Sequence, residues 1–182
     1  MDTPQWGTIG QVRRIVLYGN PILRFPAQQV EKITPELLQI MADLLTTMKK
    51  KDGVGLAANQ IGERVAVIAI NPQSCDLDSP PTCIINPKVL ITEGVIEAEE
   101  GCLSFPDIYE IVPRPEMVKV QGISPEGKEL SIEATKLLAR ALLHEIEHLQ
   151  GVLFIDHLSE LRRRLLASRL KEIEAREKGE CE

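Results

Sequence analysis

The segment His144-Glu145-Ile146-Glu147-His148 constrains this chain more than any other part of the sequence. On an α-helix, residues four apart lie on the same face, with Cβ atoms roughly 5–6 Å apart. Two imidazoles at that spacing can hold one metal ion, and Glu145 can reach a water molecule beside it. One helical turn then supplies two ligands and a proton acceptor, which is the arrangement of a metal-dependent hydrolase.

The surrounding sequence predicts that this helix is buried. Between residues 134 and 150 the apolar residues recur at helical spacing and nearly surround the helix: Leu137, Leu138, Ala141, Leu142, Leu143, Ile146 and Leu149. Gly151 follows as a helix stop. Because a buried charge needs a partner or a metal, this composition disfavours the alternative of an exposed face that merely carries charged residues.

Composition excludes several classes of protein. A chain of 182 residues with 43% hydrophobic and 26% charged residues is ordinary for one globular domain. Its net charge of −6 argues against a DNA-binding surface, and no apolar run approaches the ~20 residues of a membrane span. The first residues lack the features of a secretory signal, and the cysteines are too irregularly spaced for a disulfide framework. We therefore expect a cytoplasmic protein with neither a membrane nor DNA as its partner.

The order of predicted elements indicates the fold class. Helices are predicted from an N-cap at Thr34 to about Lys50 and from an N-cap at Ser159 to about Arg176. Strands are predicted at 64–70, 83–85, 89–97 and 117–123, with turns at Asn86-Pro87 and at 124–127. Strands and helices do not alternate regularly. This order favours an α+β fold, with mostly antiparallel β-sheets packed around a buried central metal-binding helix, plus N-terminal and C-terminal helices.

The third metal ligand is not fixed by the histidine pair. Catalytic sites usually take three protein ligands and leave one position for water. A histidine six residues after His148 is excluded, because that position is Phe154. Glu172 or Glu174 from the last helix would suit an endopeptidase, and Cys102 would suit a different hydrolase. The residues alone leave these alternatives open, since an isolated cysteine is more often a small buried core residue.

Three segments together resemble the peptide deformylase family. They are GVGLAANQ at 53–60, EGCLS at 100–104 and HEIEH at 144–148, and both their order and their separations match. The resemblance extends from Tyr18 to about Ser159. It implies that residues 1–182 form a single deformylase-like catalytic domain, with a C-terminal helix at about 159–177.

The resemblance implies both a reaction and a set of site residues. The reaction is removal of the formyl group from N-formyl-methionyl nascent polypeptides, which releases formate. Cys102, His144 and His148 would hold one divalent metal ion, Fe²⁺ in the native enzyme, and Zn²⁺, Ni²⁺ or Co²⁺ would also be accepted. Glu145 would act as the general base. The Gln60 side-chain amide and the Leu103 backbone N–H would stabilise the oxyanion.

The same resemblance suggests where a formyl-Met peptide binds. The substrate is expected to lie as an extended strand against Val54–Gly55 and the Gly101 region. Glycines at these places allow a close approach of the peptide to the main chain. Val54, Leu137 and Ala141 are candidates for the pocket that takes the methionine side chain.

The chain departs from the usual family pattern at two positions. Leu143 stands where the family usually has glutamine, and Glu147 stands where it usually has aspartate. Because residues behind the ligands orient them, we expect Glu147 to pair with a basic residue near the site, Arg114 or Arg140. Glu100 is expected at the rim of the pocket or paired with Arg114.

The last helix allows two interpretations. Residues 159–178 include seven basic and four acidic side chains, a net charge of +3 on an acidic protein. The helix is either a solvated amphipathic element or a contact for ribosomal RNA. In the first case its apolar residues pack inward: Leu161, Leu165, Leu166, Leu170 and Ile173. A catalytically silent, ribosome-associated binder is the remaining alternative function, and we expect a monomer in every case.

Overall fold

The structure, a computed structural model, describes residues 7–179. Its helices and strands follow one another as α1 (Pro35–Lys50), β1 (Gly55–Ala57), β2 (Val67–Ile70), β3 (Thr82–Glu93), β4 (Ile96–Cys102), β5 (Phe105–Arg114), β6 (Met117–Ile123), β7 (Glu129–Thr135), α2 (Lys136–Gln150) and α3 (Glu160–Lys178). The predicted α+β class, antiparallel pairing and three long helices are confirmed, with each helix boundary within two residues of its prediction.

A five-stranded antiparallel sheet, in the order β1-β2-β3-β6-β7, lies between α1 and α2. Side chains of β2 alternate between its two faces, and all four are buried. Val67 and Ala69 pack in the same core as α1, whereas Ile68 and Ile70 pack in the same core as α2. The predicted central helix is therefore buried against one face of the sheet, as its apolar pattern requires.

Strands β4 and β5 form a separate two-stranded hairpin beside the main sheet. Its buried face packs with the 3₁₀ segment Phe154–His157 and with α3. Near the tip, pairing shifts from Gly101–Tyr109 to Cys102–Phe105, so the β5 strand has three extra residues there. Such bulges redirect side chains, and this one lies directly beside Cys102.

The structure corrects the predicted turn at Asn86-Pro87. Strand β3 continues through these residues, and its pairing with β6 only shifts register there. Asn86 has a φ of 51°, and its side chain accepts from Val30 N at 2.9 Å and donates to Val30 O at 2.8 Å. The chain reverses instead at Gly94, with a φ of 66°, so the strand predicted at 89–97 is divided between β3 and β4.

Three strands, β1, β5 and β7, have no counterpart in the sequence prediction, and β2 begins at Val67 rather than at residue 64. Strand β5 was missed because its pattern is partly inverted. Glu110 and Arg114 point inward, whereas Tyr109 and Ile111 are exposed. Strand β7 lies at the sheet edge and fully buries only Ala134, so its apolar signal is weak. Strand β1 lies within the glycine-bearing motif at 53–60, where no strand was predicted.

Helix α3 packs on the hairpin through Leu166, Leu170 and Ile173. Leu161 and Leu165 are 67% and 65% exposed, so the expectation that they pack inward is wrong.

None of the described helices is long and apolar enough to cross a membrane. The cysteines at 75, 83 and 102 are free thiols, and Cys181 lies outside the described residues.

Candidate active site

Three side chains from two parts of the fold converge on one point. His144 and His148 lie one turn apart on α2, and Cys102 ends β4. Their ligand atoms all lie within 4.8 Å of one another, and Cys102 Sγ is 3.2 Å from His148 Nε2. One sulfur and two imidazole nitrogens are a donor set that suits several divalent transition metals. The predicted ligands are therefore brought together, whereas Glu172 and Glu174 lie on α3 and join no such group in the described chain.

Glu145 lies beside these ligands with one oxygen available. Its Oε2 is buried and has no hydrogen-bond partner among the described residues. A Cβ atom at Gly55 would lie 2.7 Å from both Cγ and Oε1 of Glu145, so glycine is required where β1 passes the carboxylate. Burial raises the pKa of Glu145 to about 7. An unpaired carboxylate oxygen with this pKa fits a group that accepts a proton from a water at a metal.

Gln60 turns its amide nitrogen toward the thiol. Its Oε1 accepts from Ala57 N at 2.8 Å, while its Nε2 donates to Cys102 Sγ at 3.4 Å and to Ser104 Oγ at 3.3 Å. The first bond fixes the orientation of the amide, so the N–H groups face the convergence point. Leu103 lies between Cys102 and Ser104 in sequence and lines the cleft that opens over these residues.

A cleft of about 1030 Å³ opens over these residues. The predicted ligands Cys102 and His144 line it, together with Glu145 and Gln60. All residues predicted to bind substrate line it too, namely Val54, Gly55, Gly101, Leu137 and Ala141. Leu137 is 46% exposed, which places it at the mouth rather than in the interior.

Glu100 is the centre of a buried charge network; its predicted pairing with Arg114 is found, and Arg140 and His144 join it as further partners. The residue is 5% exposed. Arg114 donates to its two oxygens at 3.0 and 2.7 Å, and Arg140 donates at 2.9 Å. His144 Nδ1 lies 2.7 Å from Glu100 Oε1. A buried carboxylate with these partners fixes the orientation of the His144 ring, which is a predicted metal ligand.

Glu147 extends this network. Of the two partners predicted for it, Arg114 is the one that it contacts, and Arg140 is not. Glu147 Oε2 lies 2.7 Å from Arg114 Nη1 and 2.8 Å from His157 Nε2. Arg140 instead donates to the carbonyl oxygen of Val112 at 2.9 Å. Sequence reasoning did not find His157. Its position nine residues after His148 carries no recognisable spacing, and only the fold of the 3₁₀ segment brings it to Glu147.

Charges in the site move the pKa values of the two imidazoles in opposite directions. Burial opposes the charged form of His144, but the thiolate form of Cys102 and the Glu100 carboxylate outweigh it and raise the pKa of His144 well above its ordinary value. Burial and the positive charge of His144 hold the pKa of His148 well below its ordinary value. His148 is thus neutral and ready to act as a ligand at physiological pH.

Comparison with known proteins identifies the family. The family model described as polypeptide deformylase matches residues 12–164. The chain belongs to the peptide deformylase family. The deformylase of Syntrophobacter fumaroxidans is 42% identical over 86% of this chain and 92% of its own length. That of Clostridium botulinum is 45% identical over 80% of this chain and 95% of its own length.

Solved structures agree with this assignment. The crystal structure of a deformylase from Legionella pneumophila has a TM-score of 0.83 and 36% identity, covering 89% of this chain and 95% of that one. The crystal structure of a deformylase from Thermus thermophilus has a TM-score of 0.83 and 34% identity, covering 91% of this chain and 99% of that one. The protein is therefore a hydrolase of protein biosynthesis that removes the formyl group from nascent chains.

The Glu100 network generates a prediction for stability against pH. Burial would raise the pKa of Glu100, but hydrogen bonds and charges from His144 and Arg114 outweigh it and lower that pKa from 4.5. A group whose pKa is lower in the folded than in the unfolded state stabilises the fold at pH values above its unfolded-state pKa. This stabilisation is lost as the pH falls toward the folded-state pKa. We expect the free energy of unfolding to decrease as pH falls below 4.5.

Chemical denaturation at several pH values measures this effect. Glu100→Gln should lower the free energy of unfolding by about 3–5 kcal/mol at pH 7, because it leaves buried arginines uncompensated. It should also flatten the acid limb, which is the fall of that free energy with pH below 4.5. Glu133→Gln, at an exposed residue of β7, is the matched control. An unchanged acid limb in Glu100→Gln would contradict the assignment of this pH dependence to Glu100.

Glu147 gives a second prediction. Aspartate is one methylene shorter, so Glu147→Asp should break the contact with His157, with Arg114 or with both. The orientation of Arg114, and through it of Glu100 and His144, should then loosen, which lowers metal affinity by roughly 10-fold or more. Metal retention during dialysis against a chelator measures this, with Glu133→Asp as control. Equal retention in both variants would make Glu147 a bystander.

Proposed function

We propose that Cys102, His144 and His148 hold the metal of this deformylase and that Glu145 is its general base. The observation that carries the proposal is the convergence of a thiol and two imidazoles beside a carboxylate with an unpaired, buried oxygen. A divalent ion on these ligands would supply the Lewis acidity that brings the pKa of a bound water toward neutrality. Glu145 Oε2 is free to accept the proton of the attacking water and to pass it to the leaving nitrogen.

We assign stabilisation of the oxyanion to Gln60 and Leu103. The amide of Gln60 is held by Ala57, with its N–H groups directed at the thiol side of the cleft. The Leu103 N–H belongs to the hairpin tip that the bulge in β5 opens. Preorganised donors of this kind are each worth about 2.7–4 kcal/mol in the barrier.

We assign substrate binding to the two glycine-bearing borders of the cleft. The substrate would lie in extended form between Val54–Gly55 on one side and Gly101 on the other. Main-chain pairing is tolerant of sequence, as an enzyme acting on many nascent chains requires. Leu137 and Ala141, from the first half of α2, would contact the methionine side chain.

We propose Fe²⁺ as the native ion, with Zn²⁺, Ni²⁺ or Co²⁺ able to replace it. Soft sulfur with two nitrogens suits each of them. Iron next to a thiolate is oxygen-sensitive, because both can oxidise. We also propose that the whole chain is one catalytic domain and that it works as a cytoplasmic monomer on emerging formyl-Met chains.

Three substitutions test the catalytic proposal against the endopeptidase alternative. Cys102→Ser should lose both the metal and the hydrolysis of a formyl-Met peptide, and Cys75→Ser, at another free cysteine, is its matched control. Glu145→Gln should keep the metal while kcat falls about 10²–10⁴-fold, because the base is lost. Formate release and metal content are measured on the same anaerobically purified samples.

Each outcome separates the candidate functions. Iron in the anaerobic wild-type protein, with activity lost in air, would support Fe²⁺ as the native ion. A Cys102→Ser protein that kept its metal and its activity would contradict the ligand assignment and favour a peptidase. Full activity in Glu145→Gln would remove Glu145 from the mechanism.

We further propose that α3 contacts ribosomal RNA. Its outer surface carries exposed basic residues such as Arg163, Arg164 and Lys171, and an RNA backbone attracts such a surface. Deleting α3 is a poor test, because Leu166, Leu170 and Ile173 form part of a core. Charge reversal at the surface leaves that core intact.

The double variant Arg163→Glu/Lys171→Glu should weaken co-sedimentation with ribosomes and reduce its dependence on salt, since two phosphate contacts are lost. The control is Lys88→Glu/Lys128→Glu, which changes net charge equally at exposed residues outside α3. Equal binding of both double variants across a salt series would end the ribosome proposal.

A further inference from the structure

The last turn of α3 holds a carboxylate that the deformylase mechanism does not use. Glu177 is 6% exposed at its side chain, although it lies near the C-terminal end of the helix. The helix dipole disfavours negative charge at that end, and burial adds a desolvation cost. A buried acid in this position therefore needs strong compensation from its partners.

That compensation comes from the N-terminal segment of the chain. Glu177 Oε2 accepts from Leu17 N at 3.0 Å and from Arg14 Nη2 at 2.8 Å. Its Oε1 accepts from Asn20 Nδ2 at 2.8 Å. Gly19, with a φ of 100°, passes so close to α3 that a Cβ atom would lie 2.6 Å from Glu174 Cγ. Residues 14–20 are thus fastened to the end of α3.

On its other side, the segment 14–20 is hydrogen-bonded to two loops. These loops carry the proposed oxyanion donors Gln60 and Leu103. Val16 N donates to Gln60 O at 2.8 Å, and Tyr18 N donates to Ser104 O at 2.9 Å. Successive N–H groups of an extended chain point in opposite directions. The amides of Val16 and Tyr18 therefore face the site, while the amide of Leu17 between them faces Glu177.

These bonds join parts of the fold that share no strand pairing. Gln60 follows β1 of the five-stranded sheet, and Ser104 lies at the tip of the β4–β5 hairpin. Residues 16–18 form a strap between them, and their backbone sets how far Gln60 stands from Leu103. A direct side-chain bond between the same two loops, from Gln60 Nε2 to Ser104 Oγ, is 3.3 Å long.

We propose that Glu177 is a positioning residue for deformylation, acting through the strap on the spacing of Gln60 and Leu103. This inference rests on the proposed oxyanion roles of those two residues. Glu177 contacts neither the substrate nor the metal ligands. Loss of its carboxylate frees Leu17 N and the strap, and the two donors then lose their fixed separation. Misplacement by about 1 Å can cost on the order of 100-fold in rate.

The test is Glu177→Ala, with Glu160→Ala as matched control on the same helix. Glu160 is an exposed acid whose ion pair, among the described residues, is with Arg164 in the neighbouring turn. With a formyl-Met tripeptide, kcat should fall about tenfold or more in Glu177→Ala. The loss should fall on kcat more than on KM, because the oxyanion donors act in the transition state, and the metal content should stay at its wild-type value. Glu160→Ala should match the wild type.

Double variants show whether the effect travels through Gln60. Gln60→Ala alone should lower kcat, and adding Glu177→Ala should then cost far less than it does in the wild type, because the donor it positions is already absent. Glu177→Gln keeps one accepting oxygen and should recover part of kcat. It also carries the same comparison if the alanine variant fails to fold.

Two results would overturn the inference. One is an unchanged kcat in Glu177→Ala and Glu177→Gln; the other is an equal loss with and without Gln60. Thermal unfolding, measured alongside with all assays run well below the midpoint, separates a mere loss of stability from a loss of kcat. Failure of the oxyanion assignment itself gives a different pattern, in which Gln60→Ala alone retains the wild-type kcat.

Discussion

The carboxylate of Glu100 is the interaction on which the site depends. It receives two arginines and one imidazole inside the protein, and these partners come from β5 and α2 while Glu100 itself comes from β4. Burial of one acid among several bases would be unfavourable if any member were missing. The hairpin can therefore dock on α2 in only one register, and that register brings Cys102 to within 3.2 Å of His148.

One unpaired carboxylate oxygen marks where this arrangement serves chemistry rather than stability. Glu145 Oε2 is buried without a partner, although every oxygen of Glu100 and of Glu177 is satisfied. These two acids, which join separate elements of the fold, are thus fully bonded, and the acid beside the predicted ligands is not. An unsatisfied buried oxygen costs free energy, and a protein keeps such an atom where a substrate or a water is to occupy the vacant direction.

Sequence patterns predicted the parts of this protein that follow from local spacing. The histidine pair on one helical face, the Thr34 and Ser159 caps and the α+β order all depend on residues close together in the chain. Strand β5 was not predicted, because its inward charged residues serve partners distant in sequence. Cys102 could not be chosen over Glu172 without the family resemblance, and the central place of Glu100 depends on docking that no local pattern encodes.

The three predicted ligands come from two parts of the fold, Cys102 from the β4–β5 hairpin and both histidines from α2, and this division affects how stable the protein is. Cys102 belongs to a hairpin that shares no strand pairing with the five-stranded sheet on which α2 packs, so an ion held by all three residues would cross-link the hairpin to α2. Such a cross-link would stabilise the docked position of the hairpin by linkage. Its loss would weaken the contact between the hairpin and α2 before it weakened the hairpin or the five-stranded sheet. Oxidation of the thiol would therefore remove this cross-link and the activity together.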